Sequence, residues 1–190
     1  MKKIIGLTMA ILLVLGMTGC TTKKIIITKE TVGESIQETV VDGVYQKNFG
    51  SYKVAEGWVE SQKHSSDGQY FYVQEGHEDD EQPDNIAIRA GSNRYAIDDH
   101  ASFKDAIMTQ IMQQLDGVEG VTLTGDGSYT AQDYVLYTFT IDESDTGIKT
   151  VQYYIVGDYK YCLIHSTNFT GEAAVDEVAK QMCDSFIWEE

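Results

Sequence analysis

Three kinds of side chain in this sequence could do chemistry: clustered carboxylates, four histidines and three cysteines. The run Glu75-Gly76-His77-Glu78-Asp79-Asp80-Glu81-Gln82-Pro83-Asp84 offers enough oxygens for Ca²⁺. It lacks the Asp-x-Asx-x-Asx-Gly spacing that folds a calcium loop, so a solvated charged loop is the plainer expectation. Asp142, Glu143 and Asp145 make a second acidic turn with the same reading, and cation binding gains ground only if the two loops meet in space. No histidine stands three residues after His77-Glu78, which removes a zincin helix. His64, His77, His100 and His165 are scattered over expected loops and one strand, with only His165 expected to be partly buried. Cys162 and Cys183 fall on an expected strand and on the apolar side of an expected helix. They read either as two buried thiols or as a disulfide, which an exported chain permits. Gly-x-Ser-x-Gly, a Walker loop and Gly-x-Gly-x-x-Gly are all missing, so hydrolase and nucleotide chemistry have no positive support. Twelve tyrosines and two tryptophans suit stacking on sugars or proteins, but most tyrosines lie where strand packing accounts for them; Tyr45, Tyr52, Tyr95 and Tyr129 are the ones expected near the surface.

The third cysteine carries the sharpest signal. Lys2 and Lys3 precede the apolar stretch Ile4 to Leu15, which ends in Met17-Thr18-Gly19-Cys20. This is the layout of a secretory signal, too short for a bilayer core of about 30 Å, which takes roughly 20 helical residues. Thr18-Gly19 directly before Cys20 resembles the lipobox of bacterial lipoproteins, in which the thiol is diacylglycerylated and the cysteine becomes the mature N-terminus. Two acyl chains, at about 0.8 kcal/mol per buried methylene, give stable anchoring where one is marginal. The expected address is the cell membrane, lipid-anchored, on the extracytoplasmic side.

The elements that must hold any site come from the remaining 171 residues, where 12 cations face 30 anions for a net charge of −18, against −16 for the whole chain. Binding nucleic acid through phosphates needs a basic face, so that partner is excluded. Residues 20–43 read as the lipidated N-terminus and a tether reaching at most about 65–70 Å, and residues 44–190 as one domain. An apolar content of 42% is enough for a core. Period-two patterns predict strands at Trp58–Lys63, Gln69–Gln74, Asn85–Arg89, Val121–Thr124, Tyr134–Ile141, Thr150–Val156 and Tyr159–Ser166. Asp67-Gly68, Asp126-Gly127 and Gly157-Asp158 predict tight hairpins between them. One helix is expected over Phe103, Ile107, Ile111 and Leu115, with a Ser102/Asp105 capping box and a stop at Gly117; a second runs from Glu172 to about Phe186 behind a Thr170 cap, with Val175, Val178, Ala179, Met182 and Phe186 as its stripe. The later strands are apolar on both faces and need cover on both. The expected class is α+β, an antiparallel sheet flanked by helices on both faces.

Gly50-Ser51-Tyr52-Lys53-Val54-Ala55-Glu56-Gly57-Trp58, the hairpin segment Gln152-Tyr153-Tyr154-Ile155-Val156-Gly157-Asp158 and the closing helix Asp176 to Ser185-Phe186 together resemble the PsbP-like superfamily, which includes the DcrB-like bacterial lipoproteins. Ala55 stands where that family usually has proline. The resemblance covers roughly residues 44–188 and implies an α/β/α sandwich and non-enzymatic binding, with no catalytic residue to carry over. The resulting expectation is a lipid-anchored, non-catalytic module that binds an envelope protein or assists an envelope process, without cofactor or metal. The alternative is a binding module for a small solute or a divalent cation, using the acidic loops or a cleft beside the Ser92 to Asp99 loop.

Overall fold

The computed structural model describes residues 40–189, apart from 42 and 67. The chain runs through β1 (Val40–Val41), β2 (Val44–Lys47), β3 (Gly50–Lys53), β4 (Trp58–Glu60), β5 (Gln69–Gln74) and β6 (Asn85–Ser92), then a short 3₁₀ turn and α1 (His100–Gln114). It continues through β7 (Val121–Tyr129), β8 (Val135–Glu143), β9 (Lys149–Gly157), β10 (Lys160–Asn168), α2 (Ala174–Ser185) and β11 (Ile187–Trp188). Seven strands form one sheet in the order β4-β5-β6-β10-β9-β8-β7, and a smaller sheet has the order β1-β2-β3-β11. Every pairing is antiparallel. The fold is therefore α+β, mostly antiparallel sheet with two helices.

The period-two runs locate the strands well, because β-branched and aromatic residues at alternate positions can bury one side of a pleated ribbon. β5 has the expected limits. β4 stops at Glu60, before the expected Lys63. The expected turn at Asp126-Gly127 does not form, and β7 runs straight through it. Gly125 and Gly127 are glycines for a different reason: a Cβ on Gly125 would lie 2.7 Å from Met108 Cε and 3.2 Å from Phe139, and one on Gly127 would lie 3.1 Å from the Tyr137 ring. The bare backbone gives those side chains room, and the chain turns later, over Thr130–Tyr134, where Asp133 takes φ 62. The tight hairpin expected at Gly157-Asp158 forms between β9 and β10 one residue later, over Asp158-Tyr159, with Gly157 paired to Lys160 and Tyr159 at φ 54. The stretch before Trp58 closes as a turn, Trp58 N–H donating to Ala55 O at 3.2 Å with Gly57 at φ 80.

Both helices begin away from their expected caps. α1 starts at His100, so Asp99 holds the cap position and Ser102 sits inside the first turn, donating to Asp99 Oδ1 at 2.5 Å. α2 starts at Ala174. Thr170 instead binds the loop before it, accepting from Glu172 N–H at 3.2 Å and donating to Asp84 Oδ2 at 2.5 Å. The α2 stripe Val175, Val178, Ala179, Met182 and the following Phe186 is buried with Tyr153, Ile155, Cys162 and Ile164 of the large sheet and Tyr52 of the small one. On α1, Phe103 meets Tyr154 and Tyr161 at centroid distances of 5.8 and 5.6 Å.

Polar groups join the two sheets. Lys47 at the end of β2 donates to Glu60 Oε2 of β4 at 2.9 Å, the two side chains being only 4% and 8% exposed. Its ammonium also lies 3.7 Å from the centre of the Tyr70 ring. Burial pushes the Lys47 pKa down, and the bond to Glu60 and its charge work against that. Beside this pair the Tyr52 and Tyr72 hydroxyls share a hydrogen bond of 2.7 Å, and burial pushes both phenols up. Removing one partner of a buried pair is costly, whereas replacing both by apolar groups is often neutral or stabilising. Glu60→Leu is accordingly expected to lose about 3–5 kcal/mol in urea unfolding, and Lys47→Met with Glu60→Leu to recover most of it. Equal losses in the single and double variants would contradict this.

Candidate functional site

A concavity lies where the small sheet meets one end of the large one. It is a cleft of about 480 Å³, within the range of roughly 300–1,000 Å³ usual for small-ligand sites. Phe49, in the β2–β3 turn, and Trp188 of β11 line it, with Ala90, Gly91 and Ser92 of β6 opposite. Lys160 and Glu189 contribute charges of opposite sign, and Asn48 an amide.

Local packing fixes the aromatic lining. Phe49 packs on Tyr70, Phe186 and Tyr52 at centroid distances of 6.1, 6.4 and 6.5 Å. Trp188 meets Phe186 at 4.8 Å with the rings perpendicular, and the Lys160 ammonium stands 4.5 Å from its ring centre. The Trp188 Nε1–H is shielded from water and has no acceptor among the described residues, an omission costing about 1–3 kcal/mol. β11 reaches this position because it pairs with β3, Trp188 opposite Gly50. A Cβ on Gly50 would lie 2.4 Å from Ile187 O and 2.9 Å from the Phe186 ring, so only glycine admits the approach. The Glu189 N–H then donates to Phe49 O at 3.1 Å and ties the two ends of the lining together.

Cations at this end of the sheet pair with rings. Arg94 lies 5.1 Å from the Tyr95 ring centre and donates to its hydroxyl at 3.0 Å. Neither Arg94 nor Lys160 has a carboxylate at ion-pair distance among the described residues. Lys149 and Lys180, away from the cleft, do pair with Asp176 and Asp184.

The residues singled out from sequence have separate fates. Cys20 and residues 20–39 of the tether lie outside the described residues, whereas the end expected to belong to the tether, Val40–Val41, is a strand paired with β2. Cys162 and Cys183 are free thiols, both fully buried in one core. Burial pushes each well above the ordinary thiol range, so neither is a ready thiolate. The two acidic loops share one end of the large sheet, opposite the cleft, but β10 stands between β6, which leaves the first, and β9, which leaves the second. Two strand spacings amount to roughly 10 Å. Their side chains take internal donors: Asp84 accepts from Phe169 N–H at 2.6 Å and Thr170 N–H at 3.1 Å, Asp80 bonds His77 at 2.7 Å, and Glu143 accepts from Thr146 at 3.0 Å. Among the described residues no three His, Cys, Asp or Glu side chains are grouped to hold a metal ion.

Tyr52 is fully buried, contrary to its expected place near the surface, because it forms the phenol pair between the sheets. Tyr129 is exposed as expected, and Tyr159 joins it. Not only His165 but also His64 and His100 are partly buried, His64 against Phe71 at 5.2 Å and His100 bonded to the Tyr137 hydroxyl at 2.6 Å. His165 remains partly exposed by surface area, yet burial of its ring, with the Arg89 charge in second place, pushes its pKa down to about 4. Phe49 and Trp188 carry no local motif, and sequence reasoning missed them: the cleft draws on five separate segments.

No family model matches the chain, and no curated protein matches it. Among solved structures it is similar to a protein from Bacteroides thetaiotaomicron, with 15% identity and a TM-score of 0.44, over 74% of this chain and 45% of that one. The chain thus spans less than half of that protein's length. It is also similar to the solution structure of cyanobacterial PsbP (CyanoP) from Synechocystis sp. PCC 6803, with 12% identity and a TM-score of 0.43, over 85% of this chain and 98% of that one. Likeness at this level assigns no ligand or partner.

Two outcomes follow from this geometry. Gly50→Ala is expected to destabilise the domain by about 1–3 kcal/mol through overpacking and to red-shift the Trp188 emission as β11 lifts; an unchanged melting temperature and spectrum would contradict it. His165 has a folded pKa of about 4 against an unfolded value near 6.5, so the unfolded chain binds more protons between them. Its contribution is whole above about pH 6.5 and is lost as the pH falls towards 4, on the order of 2 kcal/mol after allowing for its partial exposure. Urea unfolding from pH 7 to pH 4 should show a shallower decline for His165→Gln, and parallel curves for the two proteins would contradict it.

Proposed function

We propose that this chain is a bacterial lipoprotein with a PsbP-like, DcrB-like domain, anchored through acylated Cys20 on the extracytoplasmic side of the cell membrane and serving there as a non-catalytic binding module. The anchor rests on Lys2-Lys3, the apolar Ile4 to Leu15 and Thr18-Gly19-Cys20. Among the described residues no helix is long and apolar enough to cross a membrane. The finer architecture, one helix on each face of the large sheet, is supported by strand alternation. Phe103 of α1 meets Tyr154 and Tyr161, while α2 packs with their neighbours Ile155 and Cys162, which point the other way.

The observation that carries the binding reading is the cleft of about 480 Å³ with a fixed aromatic lining. It favours a solute-sized ligand over a cation, since Asp84 and Glu143 of the acidic loops are engaged internally and no three such side chains are grouped among the described residues. Docking of an envelope protein is the second reading, favoured by Tyr129 and Tyr159, which are 66% and 55% exposed and of a type common at interface hot spots. An acidic chain offers nothing to nucleic acid.

Metabolic labelling with a radioactive fatty acid tests the anchor. The wild-type chain should take up label and sediment with membranes, and Cys20→Ser should lose the label. Equal labelling of both would overturn the lipoprotein assignment.

A further inference from the structure

We propose that the cleft takes a neutral saccharide, one pyranose unit or the end of a longer glycan, with Phe49 and Trp188 against its C–H groups and Lys160, Glu189 and Asn48 on its hydroxyls. This rests on the reading of the cleft as the ligand site.

The chemistry of the lining selects the ligand class. A purely apolar ligand would cover the Lys160 ammonium without giving it a hydrogen bond, which is unfavourable; the Glu189 carboxylate, which accepts from Gln46 Nε2 at 2.5 Å, keeps its other oxygen for a donor. An anion meets Glu189 and a chain of net charge −16. A cation meets Lys160, whose ammonium already occupies the cation position over Trp188. A hydroxyl both donates and accepts, and so suits a site that places a donor, an acceptor and an amide around one aromatic lining.

The lining is also set before any ligand arrives. Phe186 holds Trp188 edge to face at 4.8 Å, and the bare backbone of Gly157 lets the indole close in, since a Cβ there would lie 3.3 Å from Trp188 Cε2. Phe49 is held by three rings. Little side-chain entropy is left to lose on binding, which matters for a ligand class whose individual contacts are weak.

The test is fluorescence titration of the full chain in detergent, carrying Trp58→Phe so that Trp188 reports alone. The probes are neutral glucan, mannan and chitin oligosaccharides. The expected result is a saturable change in Trp188 emission with at least one of them. Binding of that sugar, read by calorimetry, should weaken more than tenfold in Trp188→Ala and several-fold in Lys160→Ala. Should Trp188→Ala fail to fold, Trp188→Phe serves, with a smaller loss at unchanged melting temperature. No saturable response up to millimolar sugar overturns the proposal, as does a response that survives Trp188→Ala. If the sugars fail while a library of charged small molecules shifts Trp188 emission, the saccharide assignment falls and the cleft remains a ligand site. Silence with both removes the cleft reading as well.

Discussion

A lysine buried against a glutamate at the seam of two sheets is the constraint on which the rest of this domain depends. Lys47 and Glu60 are almost wholly out of water, and their separation of 2.9 Å is what makes that tolerable. In a medium of low polarity each charge alone would be strongly unfavourable, so the ends of β2 and β4 are held where the two can meet. The Tyr70 ring 3.7 Å from the ammonium supplies further attraction. The Tyr52–Tyr72 hydroxyl bond makes the same demand on β3 and β5. Both contacts are directional, and they set the register of the small sheet on the large one in a way that apolar burial alone does not.

The consequences spread through the turn that follows Lys47. Asn48 and Phe49 come next in the chain, and the Phe49 ring packs on Tyr70 at 6.1 Å, the same ring that faces the Lys47 ammonium. The Phe49 ring touches Phe186, and Phe186 supports Trp188, so an aromatic chain leads from the buried ion pair to the cleft. Gly50 completes the arrangement by admitting β11 against β3. Acidic groups elsewhere are occupied in holding loops: Asp84 binds the segment leading into α2, and Asp176 binds Lys149 across to β9. The strong negative charge thus leaves the cleft end as the place where Lys160 and Arg94 lie against rings rather than carboxylates.

Local pattern revealed those parts of the fold whose physics is local. β5 and the α2 stripe follow from a period of 2 and of 3.6, because burial of one side of an element leaves its mark on neighbouring residues. Asp126-Gly127 looked like a turn because the dipeptide tolerates positive φ; its glycine serves the Tyr137 ring, a demand from another strand that no local pattern records. Tyr52 reads as a surface residue for the same reason, since its partner Tyr72 lies 20 residues away. A cleft beside the Ser92 to Asp99 loop was legible as an alternative, and Ser92 does line the one found. Phe49, Lys160 and Trp188 were not legible as a set, since they come together only through the β3–β11 pairing and the β9–β10 hairpin.

The Lys47–Glu60 pair locks the small sheet, and through it the cleft, onto the large sheet. Native-state amide hydrogen exchange, compared between the wild-type chain and Glu60→Gln, tests it most directly. Gly50–Lys53 and Ile187–Trp188 should lose protection together while Ile155 and Cys162, in the centre of the large sheet, keep theirs. Unchanged protection across Gly50–Lys53, or a loss spread evenly over both sheets, would contradict it.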